Sequence, residues 1–437
     1  MNKINRRDTL KLLAASAVFP ALPATLRGQA IEIGPIESTA YKLTSEDVGF
    51  LEEVQRLGCM YFIDQGSPVT GQVLDRAKAF EAPGVRDSRR MASIAATGFG
   101  LTALCIADHR GYIPHATAFE RARATLRFHH DKLANNHGFF THFNDIETGE
   151  PFPHSEVSPI DTALLLCGVL TARQYFRHHR EIYQLATDLY HRVDWTWMLN
   201  GGDTFAMAWR NGEFEKNRWD HFCELMMMYL LALGSPTHPI QPASWLAWTR
   251  PIMHFERYTY VSAPDPLFVH QYSHAWFDFR NKRDKFVNYF DNSIVATRAH
   301  KAFCISLGPP YSPDYWGITA SDSAHGYVAW GGPPAQGPID GSVVPCAAGG
   351  SLPFVPSDCV HVLRALKQNY SSKVWGRYGF CDAFNPQNNW FNPDCLGINQ
   401  GITVVMAENL RTGFVWKTFA RNPEVAVAFQ RAGFHSA

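Results

Sequence analysis

Between Trp219 and Pro236 the chain reads Trp-Asp-His-Phe-Cys-Glu-Leu-Met-Met-Met-Tyr-Leu-Leu-Ala-Leu-Gly-Ser-Pro. From Phe222 to Leu233 the only polar groups are Glu224 and the Tyr229 hydroxyl. Leu, Met and Ala favour helix, and Gly234 with Pro236 supplies a C-terminal stop, so the pattern predicts a helix over 222–233. A helix apolar on every side must be enclosed, which demands a core large enough to surround it with other elements. Glu224 is then expected one turn into a buried helix, with no cation next to it in sequence. Such a carboxyl must be paired, hydrogen-bonded or protonated with a raised pKa. A carboxyl kept protonated near neutrality is what a general acid needs; the plainer alternative is a structural Glu bonded to a neighbouring helix end.

Composition agrees with a large core, since 46% of the 437 residues are hydrophobic and 18% charged. That length permits up to about three domains, but no polar linker interrupts 31–437, so a single domain is predicted there. With 40 basic and 40 acidic residues the net charge is zero, and no long basic run occurs. This argues against a nucleic-acid or anionic-membrane partner. Nine cysteines, an odd number without a Cys-x-x-Cys pair, argue against a disulfide framework or a structural zinc. Cys105, Cys167 and Cys223 lie in apolar runs and read as small core residues.

At the N-terminus, Arg6-Arg7 is followed by a short apolar segment and small residues. Residues 1–30 are therefore predicted to be an export signal of the twin-arginine type, directing a folded protein to the bacterial periplasm. The segment from Leu12 to Ala24 is too short to span a bilayer and contains Pro20 and Pro23. The competing reading is an uncleaved anchor.

Apolar spacing predicts helices over 45–63, 90–108, 117–133, 160–176, 181–197, 242–252, 274–303, 357–368 and 401–410, besides 222–233. Small hairpins are predicted at 137–149 and 205–212. Residues 305–350 are dense in Gly, Pro and aromatics, too long for an inert connector, and read as a functional wall or lid. Strongly apolar helices alternate with amphipathic ones, which fits two concentric layers. An all-α barrel of paired helices satisfies this with one core, though periodicity alone leaves other all-α arrangements open.

The loops mix carboxylates with aromatics. Asp145 follows Phe139-Phe-Thr-His-Phe-Asn, and Glu156 and Asp161 flank the start of an apolar helix, where Asp161 also suits a capping role. Trp209, His270, Tyr272, Trp276 and Trp316 add rings on which the apolar face of a sugar can stack. His270 and His274 stand four apart, but without an acidic partner at zinc-protease spacing no metal site is predicted. Arg377 precedes Asp382 by five residues; a cation so close would hold Asp382 ionised, which suits a base. An arginine-paired structural carboxylate is the alternative. Two carboxyls with split pKa values are the requirement for glycosidic cleavage. Gly-x-Ser-x-Gly, phosphate-binding and dinucleotide fingerprints are absent from the sequence.

Several stretches together resemble a known family. They are Arg86-Asp-Ser-Arg-Arg, Ser93-Ile-Ala-Ala-Thr-Gly-Phe-Gly-Leu, Glu156-Val-Ser-Pro-Ile-Asp-Thr-Ala-Leu-Leu and Tyr229-Leu-Leu-Ala-Leu-Gly-Ser-Pro. Further on come Gln271-Tyr-Ser-His-Ala-Trp, Trp316-Gly-Ile-Thr-Ala-Ser-Asp, Tyr378-Gly-Phe and Ala407-Glu-Asn. In order, from about residue 45 to 425, they resemble the bacterial glycoamylase-like domain, which includes the endo-β-1,2-glucanases of glycoside hydrolase family 144. The resemblance implies an (α/α)6 barrel with long loops at one end, a cleft for linear β-1,2-glucan, and inverting cleavage to sophorose and short oligosaccharides without a cofactor. A monomer that binds neither membrane nor nucleic acid is expected. It places the general acid on Glu224, and the acidic residue that follows Tyr-Gly-Phe falls on Asp382. Asp145, Glu156, Asp161, Trp209, His270, Tyr272, Trp276, Trp316, Arg377 and Asn399 are expected to bind substrate. Related domains often carry an acidic residue before the Gln-Gly pair, where this chain has Asn399; an amide there cannot accept a proton. The alternatives are a non-catalytic periplasmic glucan-binding protein and an exo-acting or transglycosylating enzyme on a related β-glucan.

Overall fold

Helices and short strands alternate along the chain, and the helices fall into two burial classes. The computed structural model describes residues 30–34, 36 and 41–437; the expected export signal, 1–30, lies outside them but for Ala30. The first half carries α1 (Ser45–Asp64), α2 (Ile94–His109), α3 (His115–Asp131), α4 (Pro159–Tyr175), α5 (Arg180–His191), α6 (Trp195–Leu199) and α7 (Met226–Gly234). The second carries α8 (Pro242–Ala247), α9 (Tyr272–Trp276), α10 (Tyr289–Ser306), α11 (Pro345–Gly349) and α12 (Pro356–Tyr370). It ends in α13 (Gly397–Arg411), α14 (Phe414–Phe419) and α15 (Pro423–Arg431).

Six of these are buried on nearly every side: α2, α4, α7, α9, α11 and α13. By contrast α5 buries only Ile182, Ala186, Leu189 and Tyr190, one stripe at helical spacing. The enclosed helices touch in sequence order: α2 packs on α4, α4 on α7, α7 on α9, and α13 on both α11 and α2. Amphipathic helices lie outside them, α5 over α4, α3 over α5, α1 against α2 and α13, and α15 against α7. The fold is thus helix-rich, with half-exposed helices packed against enclosed ones.

Close approach of α2 and α4 is set by glycine. A Cβ on Gly98 would stand 2.2 Å from the Leu164 carbonyl oxygen, and one on Gly168 would stand 2.0 Å from the Gly98 carbonyl oxygen. The backbones therefore meet without side chains between them.

The all-α expectation is incomplete. The loops fold into small antiparallel ribbons that satisfy their own backbone groups. Met91–Ser93 is the middle strand between Val73–Leu74 and Phe143–Asp145, so the helix predicted from 90 begins only at Ile94. The 205–212 hairpin is larger than expected, with Phe205–Ala206 pairing to Arg218–Trp219 outside Trp209–Arg210 and Glu213–Phe214. Residues 274–303 break into α9, strand Lys282–Arg283 and α10. Within 305–350 lie the hairpin Ala320–Ser323/Gly326–Ala329 and helix α11. All nine cysteines are buried and free, and Cys105, Cys167 and Cys223 lie in the core as read. No helix among the described residues is long and apolar enough to cross a membrane.

Candidate active site at the leading ends of the buried helices

Hydrogen bonds tie together the segments that precede the enclosed helices. The Ile94 amide donates to the His142 carbonyl, and the His142 amide to the Glu156 carbonyl, joining the starts of α2 and α4. Gly397 at the start of α13 donates to Asp75, which donates to Met91. Ser273 Oγ donates to the Glu224 carbonyl at 2.9 Å, joining the starts of α7 and α9. Phe268 donates to Thr319 Oγ1, and Asn399 Nδ2 to the Ala320 carbonyl. Chemistry-bearing side chains collect at these ends in three groups.

The first group surrounds Glu224. The structure corrects its local setting: α7 starts at Met226, so Glu224 lies in the turn ahead of the helix rather than one turn inside it. An isolated bridge of His221 to Thr249 and the turn that follows it occupy the residues ahead of the helix. Glu224 is nevertheless buried, 6% exposed, as its apolar neighbours require. Its backbone is pinned, because Ser273 Oγ also accepts from the Met227 amide at 3.0 Å. His221 Nδ1 lies 3.1 Å from Asp220 Oδ1, and its Nε2 lies 4.0 Å from Asp265 Oδ2. Burial alone would lower the His221 pKa, but the Asp220 hydrogen bond and the charges of Asp265, Asp220 and Glu224 raise it overall. Burial pushes Asp265 up to about 6, with His221 opposing the shift. Sequence reasoning missed His221 and Asp265; the Asp220-His221 pair directly ahead of the apolar run was the available signal.

The second group lies at the start of α4. His142 Nδ1 is 3.3 Å from Glu156 Oε1 and 3.5 Å from Asp161 Oδ2, with all three side chains buried. Arg210 Nη2 reaches Glu156 Oε2 at 3.4 Å. The helix cap is Ser158, whose Oγ accepts from the Asp161 amide and donates to Asp161 Oδ2. Asp161 thus supports the cap rather than being it. One His and two carboxylates within 4.8 Å of one another are a ligand set by type, but the arginine on Glu156 already supplies a countercharge.

The third group centres on Asp382, 3% exposed, at the start of α13. Its Oδ1 accepts from Asn399 Nδ2 at 2.7 Å and its Oδ2 from the Asp322 amide at 2.9 Å. Asp322 in turn receives Arg76 Nη1 at 2.7 Å and Asn392 Nδ2 at 3.2 Å. The expected Arg377 partner is absent: Arg377 donates instead to the carbonyls of Lys78, Ala82 and Val85. Five residues of strand and turn carry the two side chains apart. Accordingly Asp382 is not held ionised. Burial and the nearby Asp322 push its pKa up, to about 7, against the donors and Arg76. A small cavity lined by Tyr378, Asp382, Asn399, Gln400 and Thr403 adjoins it.

A raised folded pKa has a defined sign for stability. Asp382 destabilises the folded chain increasingly as pH rises from the ordinary 3.8 through about 7. Chemical denaturation should therefore show the wild type losing stability relative to Asp382→Asn over that window, and parallel curves would contradict it.

The remaining predicted residues scatter. Tyr272 and Trp276 are closed into the core, with Trp276 Nε1 donating to Thr102 Oγ1 at 3.0 Å. They present no ring face to a sugar, because α9 places them against α2. Trp316 is likewise buried. His270 is buried with Nε2 on Ser262 Oγ at 3.1 Å, and burial with His274 and His300 nearby lowers its pKa to about 3. Asp145 receives both Arg90 Nε and Nη2, at 2.6 and 2.7 Å, and caps its own turn. Burial opposes the shift, but these donors hold its pKa down to about 2. Trp209 stays half-buried in a ring cluster with Trp197, 5.9 Å between centroids, and its backbone pairs with Val157 beside Glu156. Of the twelve, the structure brings Glu156 with Asp161, and Asp382 with Asn399, into direct groups.

Residues 216–423 match the Glycoamylase family model, described as "Putative glucoamylase". The chain is 29% identical over 440 residues to an exo β-1,2-glucooligosaccharide sophorohydrolase (non-reducing end) of Parabacteroides distasonis, an alignment covering 91% of this chain and 59% of that protein. Among solved structures, an endo-β-1,2-glucanase from Chitinophaga pinensis, in complex with sophorotriose and glucose, is 28% identical with a TM-score of 0.81. That match covers 90% of this chain and 99% of the other. A glucoamylase-like structure from Bacteroides uniformis gives 28% identity and a TM-score of 0.83, covering 91% and 99%. The resemblance carried by the sequence motifs is thus shown: residues 216–423 match a glycoamylase-like family model, and the proteins to which the chain is similar include β-1,2-glucan hydrolases.

Proposed function

We propose that this chain is a glycoside hydrolase that cleaves β-1,2-glucan to sophorose and short sophorooligosaccharides, with inversion at the anomeric carbon. The observation that carries the reading is the likeness, over nine-tenths of the chain, to an exo-sophorohydrolase and an endo-β-1,2-glucanase. Glu224 is the proposed general acid. Its burial at the head of the most apolar helix, with a fixed backbone, supports that role. Asp382 is the proposed base, acting on water directly or through a substrate hydroxyl. Its pKa near 7 makes it proton-accepting on the alkaline side of neutrality. The same reading takes residues 31–437 as one (α/α)6 barrel, working as an exported monomer.

A second reading, a glucan-binding protein without turnover, draws on one feature: both Asp382 oxygens already accept hydrogen bonds, one from an amide side chain at 399. Incubation with linear β-1,2-glucan beside β-1,3-, β-1,4- and α-linked glucans separates the two. New reducing ends on the β-1,2 polymer alone, α-configured in the first NMR spectra, are expected. Binding without new ends would favour the second reading.

A further inference from the structure

The group at the head of α7 contains more than a lone carboxyl. His221 has a carboxylate oxygen facing each ring nitrogen, Asp220 Oδ1 at 3.1 Å and Asp265 Oδ2 at 4.0 Å. Imidazole carries donors on both nitrogens only as the cation. Asp265 comes from a separate segment, just before α9, and its Oδ2 is fully buried without a hydrogen bond. A buried carboxylate oxygen without a donor is unfavourable unless a cation stands near it. The 4.0 Å spacing leaves His221 as that cation, attracted but not hydrogen-bonded. His221 keeps 38% exposure, so the pair reaches from the closed interior to the open side. Glu224 follows three residues later and contributes to the field at His221. Thr249, whose backbone bridges to His221, brings no charge.

We propose that His221 is a positioning residue which, held charged by Asp265 and Asp220, sets the protonation of Glu224, so that Asp265 acts on Glu224 only through His221. This deepens the acid role proposed above and rests on that reading for its catalytic meaning. The pair itself does not depend on it. The imidazolium favours ionised Glu224, and Asp265 fixes the pH range over which the imidazolium persists. Loss of the His221 proton on the alkaline side removes that cation and raises the proton affinity of Glu224, so Glu224 keeps its proton to a higher pH than it would beside a persistent imidazolium.

Imidazole proton–nitrogen and carboxyl-carbon NMR titrations of the wild type, His221→Gln, Asp265→Asn and the double variant test this without needing turnover. Asp265→Asn should lower the His221 midpoint by about half a pH unit or more. His221→Gln should raise that of Glu224 by a similar amount. Asp265→Asn should move Glu224 upward in the wild-type background and leave it unmoved when His221 is already Gln. An unshifted His221 in Asp265→Asn overturns the pairing. A Glu224 shift from Asp265→Asn in both backgrounds, or in neither, overturns transmission through His221. Matching thermal midpoints confirm that each variant is folded; if one is not, Asp265→Glu replaces it, with the His221 midpoint kept. Where the wild type hydrolyses β-1,2-glucan, the alkaline limb of kcat/KM should follow Glu224. Absence of hydrolysis with all titrations as expected would remove the enzymatic reading and leave the pair standing.

Discussion

Replacing Glu224 with Gln should lower kcat on linear β-1,2-glucan by about 10³-fold or more, with the thermal midpoint within a degree or two of the wild type. The substitution keeps the shape and one acceptor and removes only the transferable proton. The side chain is 6% exposed, and its backbone is fixed by Ser273 Oγ, which donates to the Glu224 carbonyl and accepts from the Met227 amide. Little rearrangement is therefore available to mask the chemical loss. A leaving sugar oxygen without a proton donor is a poor leaving group, which is why one atom can have so large an effect. Turnover within tenfold of the wild type would take Glu224 out of the reaction. Loss of turnover together with a collapsed thermal midpoint would mark it as structural.

The largest effect on stability is expected from Gly168→Ala. The new Cβ would meet the Gly98 carbonyl oxygen at 2.0 Å and its carbonyl carbon at 2.7 Å. Both are backbone atoms inside a helix, so neither can swing aside as a side-chain end could. Helices α2 and α4 must separate, and the side chains packed around them lose contact. The cost should reach about 3 kcal/mol, the upper end of overpacking effects, read as a thermal midpoint several degrees lower. Gly49→Ala is the matched control. Gly49 is an exposed position in the interior of α1, and a Cβ added there would have no atom within 4 Å. There the same change should stabilise by about 0.5–1 kcal/mol. Equal signs for the two variants would refute the packing argument.

The fold was legible where burial follows periodicity. Apolar runs marked α2, α4 and α7 because a helix enclosed on all sides needs no polar face. What escaped was local: hydrogen bonding between distant segments converts residues 91–93 into a strand, and α7 begins only at Met226. No periodicity within one segment records a partner far away along the chain.

The site divides along the same line. Glu224 could be singled out because its own neighbours bury it. Asp382 could not be assigned a charge state from Arg377, since the hydrogen bonds of Arg377 run to carbonyls on the loop 78–85. Its real neighbours, Asp322, Asn399 and Arg76, lie 17 to 306 positions away along the chain. His221 and Asp265 show the same limit, 44 positions apart and meaningful only as a pair.

The bonds that join Asp75 to Gly397 and Arg89 to Asp394 span over 300 residues. A chain emerging from the ribosome therefore carries its first and last contributions to the Asp382 group on opposite ends of synthesis. Premature termination anywhere before Asp394 leaves both Arg89 and Asp75 waiting for partners never made. Functional selection in such a protein acts on complete translation: because α13 packs on α2 and α15 packs on α7, a library of C-terminal truncations should become inactive once the deletions enter α15, near residue 431.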